Sequence, residues 1–200
     1  MQKIGILGGT FNPIHLGHIQ LAEALLSKHH LDKILLIPAA RPPHKPAPDL
    51  IAGKRRLAMC RLAAQNNPQL EVSDIELQRN GQSYTADTLE QLQGVYPGAV
   101  FYLITGADMF LTLRDWVSFE KIIKNAVLCG VTRAGTNAPD LYTYAKKLES
   151  LGAETIVEEL NLIDASSTEI RALIRSGRDY QSFTHPAVAQ YIKENALYQQ

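Results

Sequence analysis

Apolar residues along the chain gather into short runs separated by stretches of helical spacing. The runs Lys3 to Leu7 (KIGIL), Lys33 to Ile37 (KILLI), Leu70 to Ser73 (LEVS), Ala99 to Thr105 (AVFYLIT), Ala126 to Thr132 (AVLCGVT) and Glu154 to Glu158 (ETIVE) predict strands, the second and fourth buried and the third extended past a bend by Ile75 to Leu77. Between them, Leu16 to Leu26 predicts a helix. So does Ile51 to Gln65, where Ile51, Leu57, Ala58, Leu62 and Ala63 form the apolar stripe and Lys54, Arg55, Arg56 and Arg61 are expected largely outward. Further helices are predicted from Ser83 or Thr85 to about Gln93, over Met109 to Leu113, over Leu141 to Leu151, from Ser166, and over Ala187 to Leu197 behind Pro186. Strands alternating with helices predict an α/β fold, a doubly wound and mostly parallel sheet with helices on both faces.

Length and composition narrow the class without naming a chemistry. Two hundred residues suit one domain, residues 1–200, with 166–200 as its C-terminal helical part. Apolar content of 46% with 20% charged residues is that of a soluble globular protein. Acidic and basic residues balance at 20 each, so no global field draws in nucleic acid or an anionic membrane, and neither partner is expected. The chain opens on strand-like KIGIL with no basic segment and apolar core ahead of it, and no apolar run approaches the ~20 residues of a membrane span. A cytoplasmic protein is expected. Cys60 and Cys129 stand alone in apolar segments and read as buried free thiols.

Chemistry concentrates where the first strand meets the first helix. Gly8-Gly9-Thr10-Phe11-Asn12-Pro13-Ile14-His15-Leu16-Gly17-His18 is a strand-to-helix turn, and a right-handed crossover places it at the carboxyl edge of the sheet, where open α/β folds bind ligands. Glycines let the chain pass close to an anion, and the helix start adds free N–H groups and about half a positive charge of macrodipole. His15 and His18, three apart, share a face if both lie in the first turn. The turn is neither a Rossmann fingerprint, which needs glycines at Thr10 and Pro13, nor a Walker loop, which needs a Gly-Lys pair.

Other candidates follow the later strands. Pro38 to Pro48 is a stiff proline-rich loop whose His44 and Lys45 could reach a phosphate or simply be solvated. In Ser83-Tyr84-Thr85-Ala86-Asp87-Thr88-Leu89, the hydroxyls of Ser83 or Thr85 either cap a helix or present its first amides to a carboxylate. Asp108, just past Gly106, suits sugar hydroxyls or an N-cap, and Trp116 suits a core position or a stacking platform. Ser166 with Glu169 fits a capping box, while Ser166, Ser167 and Thr168 ahead of Arg171 also fit a triphosphate cradle.

The sequence GTFNPIHLGH resembles the T/HxGH signature of the nucleotidylyltransferase superfamily. Taken with Pro43-His44-Lys45, SYTADTL, Gly106-Ala107-Asp108, Trp116 and SSTEIR, it resembles the bacterial nicotinate-nucleotide adenylyltransferase family over nearly the whole chain. The resemblance implies a Rossmann-like nucleotidyltransferase fold and the reaction of ATP with nicotinate mononucleotide, giving nicotinate adenine dinucleotide and pyrophosphate by in-line attack without a covalent enzyme intermediate. It implies catalytic roles for His15, His18 and Arg171, and ATP contacts from Gly8, Gly9, Thr10, Phe11, Gly106, Asp108, Ser166, Ser167 and Thr168. His44, Lys45, Thr85 and Trp116 would take the mononucleotide. Mg²⁺ would bridge phosphate oxygens with no dedicated protein ligand, and a homo-oligomer stays open. Asn12 stands where the family often has Asp, and Ala165 where Ile is common. A related adenylyl- or cytidylyltransferase, such as the pantetheine-phosphate enzyme, and a non-catalytic ATP sensor are the competing readings.

Overall fold

Six strands pair side by side into one wholly parallel sheet in a computed structural model that describes residues 1–42, 49–133 and 138–199. The strands are β1 (Lys3–Gly9), β2 (Lys33–Pro38), β3 (Leu70–Val72), β4 (Val100–Gly106), β5 (Ala126–Arg133) and β6 (Thr155–Leu160), in the order β3-β2-β1-β4-β5-β6. The chain leaves β1 towards one edge of the sheet and returns at β4 towards the other. β1 and β4 are neighbours, so the order reverses between them, and there the loops after adjacent strands run in opposite directions and leave a crevice. The fold is the expected Rossmann-like, doubly wound one.

Helices α1 (Leu16–Lys28), α2 (Gly53–Ala64), α3 (Thr85–Val95), α4 (Ala107–Phe110), α5 (Phe119–Asn125), α6 (Ala138–Glu149), α7 (Ser167–Arg175) and α8 (Pro186–Glu194) complete the chain. Successive strand residues point to opposite faces, and each face has its own core. Leu7, Ile34, Leu36, Ile104 and Val131 pack with Leu21 and Leu25 of α1, Met59 of α2 and Val188 and Ile192 of α8. Ile4, Ile6, Leu35, Phe101 and Leu128 pack with Leu89 of α3, Phe110 of α4, Ile122 of α5 and Leu141 and Leu148 of α6. Both cysteines are buried free thiols, pushed up to about 12 by desolvation, and are inert at neutral pH.

Several local expectations are corrected. Ile75 to Leu77 form a turn and do not extend β3. The predicted helix Met109 to Leu113 is instead α4, capped by the backbone of Gly106, followed by a 3-10 turn at Leu113–Asp115, so Asp108 lies in the first helical turn and is not the cap. Neither Ser83 nor Thr85 caps α3: Tyr84 holds that position without a side-chain bond, and Ser83 Oγ instead accepts the amides of Ala40 (2.9 Å) and Arg41 (3.4 Å), tying the loop after β2 to the start of α3. Arg56, expected outward, is 1% exposed. Helix α5 was not foreseen.

Candidate active site

The turn after β1 leads directly into the start of α1. Gly9 is required there because a Cβ would meet the Phe11 ring at 2.9 Å, whereas the space beside Gly8 is open. Phe11 adopts φ +46 and is 2% exposed, so its contribution to a ligand is its backbone, with its ring in the core. His15 stands at the N-cap of α1 in extended conformation and His18 in the first turn. The two rings face each other with centroids 3.7 Å apart, and the His15 amide donates to His18 Nδ1 at 3.3 Å. That bond makes Nδ1 the acceptor and leaves Nε2–H of His18 as a donor.

Both imidazoles are held neutral. Burial, then the Arg133 guanidinium, lowers His15 to about 4, and burial followed by His15 itself holds His18 well below its usual value. His15 Nδ1 is buried with no hydrogen-bond partner. So is Nε of Arg171, a side chain that reaches the same turn. Among the described residues only Thr184 Oγ1 shares that condition, so two of the three unpartnered buried side-chain polar atoms lie at this turn. Unsatisfied buried groups are costly, and their concentration at one place points to a polar ligand.

The start of α7 closes on the turn. Ser167 Oγ donates to the Pro13 carbonyl at 2.8 Å, and Arg171 Nη1 donates to the Asn12 carbonyl at 2.9 Å. Ser166 Oγ accepts the Glu169 amide at 3.1 Å, the capping half of the expected box, and Thr168 is exposed beside it. Asp49 binds Arg175 at 2.6 Å and lies 3.9 Å from Arg171 Nε, beyond hydrogen-bonding distance. The hydroxyl-rich helix start and the paired imidazoles therefore occupy one site.

The other predicted residues follow the carboxyl ends of β2, β3 and β4 in the chain. Exposed Gly106 ends β4, with open space where a Cβ would stand, and exposed Asp108 follows it. Half-buried Thr85 begins α3. Trp116 follows the 3-10 turn, packs partly on the second core and donates Nε1–H to Thr112 Oγ1 at 3.2 Å. His44 and Lys45 lie outside the described residues. Sequence reasoning missed Arg133, which ends β5, is ion-paired with Asp164 ahead of α7 and acts on His15. Its signal was an arginine at the carboxyl end of a strand that pairs with β4. Asn12, Arg56 and Tyr198, which meet behind the turn, were also missed.

Residues 6–173 match the cytidylyltransferase-like family. A probable nicotinate-nucleotide adenylyltransferase of Carboxydothermus hydrogenoformans is 39% identical over 98% of this chain and 98% of its own length, and one of Geobacter sulfurreducens is 37% identical over 98% of each. The chain belongs to the nicotinate-nucleotide adenylyltransferases. Among solved structures, a nicotinic acid mononucleotide adenylyltransferase of Plasmodium falciparum complexed with NaAD superposes with a TM-score of 0.80 at 18% identity, covering 99% of this chain and 98% of that one. A putative nicotinate-nucleotide adenylyltransferase from Vibrio parahaemolyticus superposes with a TM-score of 0.71 at 23% identity, covering 100% of this chain and 97% of that one. At those identities the likeness is one of fold, and the adenylyltransferase fold is the one built above from this chain's own residues.

Proposed function

We propose a division of labour among this chain's residues for adenylyl transfer. The enzyme transfers the adenylyl group of ATP to nicotinate mononucleotide, giving nicotinate adenine dinucleotide and pyrophosphate for NAD biosynthesis. The observation that carries the residue assignment is the convergence of two helix starts, α1 and α7, on one turn through the bonds from Ser167 and Arg171 to the Pro13 and Asn12 carbonyls.

The mononucleotide phosphate attacks the ATP α-phosphorus in line as pyrophosphate leaves, so the protein needs to position and neutralise, not to form a bond. His18 Nε2–H and the His15 ring donate to the phosphates, with the amides of Gly8, Gly9, Thr10 and Phe11 alongside. Negative charge growing between α- and β-phosphorus offsets the desolvation that keeps both rings neutral, so their proton affinity rises when it is needed. Ser166, Ser167, Thr168 and Arg171 hold the departing β- and γ-phosphates; of its five N–H donors Arg171 gives one to the Asn12 carbonyl at 2.9 Å and reaches Thr168 Oγ1 with another at 3.5 Å. Asp108 and Gly106 take the ribose side of ATP. Thr85, Trp116, His44 and Lys45 take the mononucleotide, the first through α3 amides at its carboxylate and Trp116 by stacking on the pyridine ring.

Charge on the phosphates would be neutralised further by Mg²⁺ when bound, with no dedicated ligand from this chain. The turn is met by N–H and O–H donors, and the carboxylates nearby, Asp49 and Asp164, are engaged by Arg175 and Arg133, so the donor set fits phosphate oxygens. Residues 166–200 belong to the same domain in this reading, since α8 packs into the core of α1 and α2. No helix of the described residues is long and apolar enough to cross a membrane, and we read the enzyme as cytoplasmic.

Pyrophosphate release from ATP with nicotinate mononucleotide, compared with other phosphate acceptors, tests the assignment. The His18→Ala enzyme is expected to fold normally and lose about a hundredfold or more in kcat. Turnover of that variant at the parent rate would contradict the role given to His18.

A further inference from the structure

We propose that Arg56, Asn12 and Tyr198 form a brace that fixes the phosphate-binding turn from behind, making Arg56 and Tyr198 positioning residues for adenylyl transfer. The inference rests on the functional reading above for its kinetic consequence and on geometry for the brace itself.

The brace grips the turn on both sides of its most strained residue. Phe11 sits at φ +46, a left-handed conformation that a bulky aromatic residue holds only where its neighbours force it. On one side, Arg56 Nη1 donates to the Thr10 carbonyl at 2.7 Å, and Nε of the same guanidinium donates to the Ile51 carbonyl at 3.1 Å. On the other, the Asn12 side chain accepts the Tyr198 hydroxyl at 2.9 Å and the Ile51 amide at 3.4 Å, and donates to the Asp49 carbonyl at 3.0 Å. Asn12 is 4% exposed and Tyr198 7%, so these bonds are shielded from competing water.

Two features mark these as built contacts rather than incidental ones. An arginine 1% exposed is expensive to bury, and this one donates to two main-chain carbonyls, of which Thr10 is part of the turn itself. Its positive charge thus remains behind the surface on which the triphosphate settles. Tyr198 itself lies at φ +63, beyond the end of α8, so a strained tail residue is held where its hydroxyl meets a partner 186 positions earlier. The path to chemistry is short. Phe11 meets the His18 ring edge-on, with centroids 5.1 Å apart, so the place of Phe11 sets the place of His18.

Tyr198→Phe removes one hydroxyl and keeps the ring, and Arg56→Lys keeps the charge but cannot bridge both carbonyls. In the full-length chain, deuterium uptake over residues 8–18 is expected to rise in Tyr198→Phe while uptake over α3 stays that of the parent. With ATP and nicotinate mononucleotide, kcat/KM for ATP is expected to fall about fivefold or more, through kcat, with KM for the mononucleotide within about twofold. Arg56→Lys is expected to retain more activity than Arg56→Met. Uptake over residues 8–18 equal to that of the parent, with only a lowered melting midpoint, overturns the brace. Raised uptake with unchanged kcat/KM overturns the positioning role. A parent enzyme that releases no pyrophosphate from these substrates defeats the functional reading, and the exchange result still decides the brace.

Discussion

His15 and His18 lie too close for both to be positively charged, and the fold keeps both neutral by burying them beside each other and beside Arg133. This has a stability consequence. His15 titrates at about 4 in the folded chain against 6.5 unfolded, so between those values the unfolded state binds the extra proton. Stability therefore falls as the pH drops from 6.5 towards 4, by roughly 3 kcal/mol for His15 alone, with His18 acting in the same direction. Urea midpoints measured from about pH 7.5 to about pH 4.5 are expected to decline more steeply in the parent than in a His15→Asn variant; equal slopes would contradict it. Substrate selection belongs to other residues. Trp116→Ala is expected to raise KM for the mononucleotide about fivefold or more while that for ATP stays within about twofold, measured by pyrophosphate release. The paired histidines and the Ser166 to Arg171 segment were legible because their spacing and their place between a strand and a helix fix what they face. Arg56 was not, because its acceptor, the Thr10 carbonyl, lies 46 residues away and turns an apparently solvated position into a buried one.

At the scale of elements, α4 is seated on β5 through a missing side chain. A Cβ at Gly130 would stand 2.7 Å from the Phe110 ring, so glycine there lets α4, and Asp108 with it, come down onto the sheet. Gly130→Ala is expected to destabilise the protein by about 1–3 kcal/mol and to raise KM for ATP, read by thermal unfolding and by pyrophosphate release. An unchanged KM would separate α4 from the nucleotide. The strands were legible as short apolar runs because a parallel sheet buried on both faces needs them. What failed was local. Helix α5 (FEKIIKN) spans seven residues, too few to establish a period, and enters from Ser118 at φ +58. The Ser83 hydroxyl resembled a cap until the loop after β2 supplied two amides for it to accept.

The whole molecule brings together segments that the chain keeps far apart. The α7 contacts to the first turn span 154 and 159 residues, and the Tyr198 bond spans 186. The turn they meet on leaves β1, where the strand order reverses against β4. The alternation of elements foretold the sheet, and the resemblance foretold its order of use, but the pairing of Asn12 with both Arg171 and Tyr198 follows only from tertiary structure. The most direct measurement is a structure of the enzyme with a non-hydrolysable ATP analogue and nicotinate mononucleotide. The expected result places the triphosphate between the β1–α1 turn and the start of α7, within hydrogen-bonding reach of His18 Nε2 and the Arg171 guanidinium. A triphosphate bound out of reach of both would contradict the account.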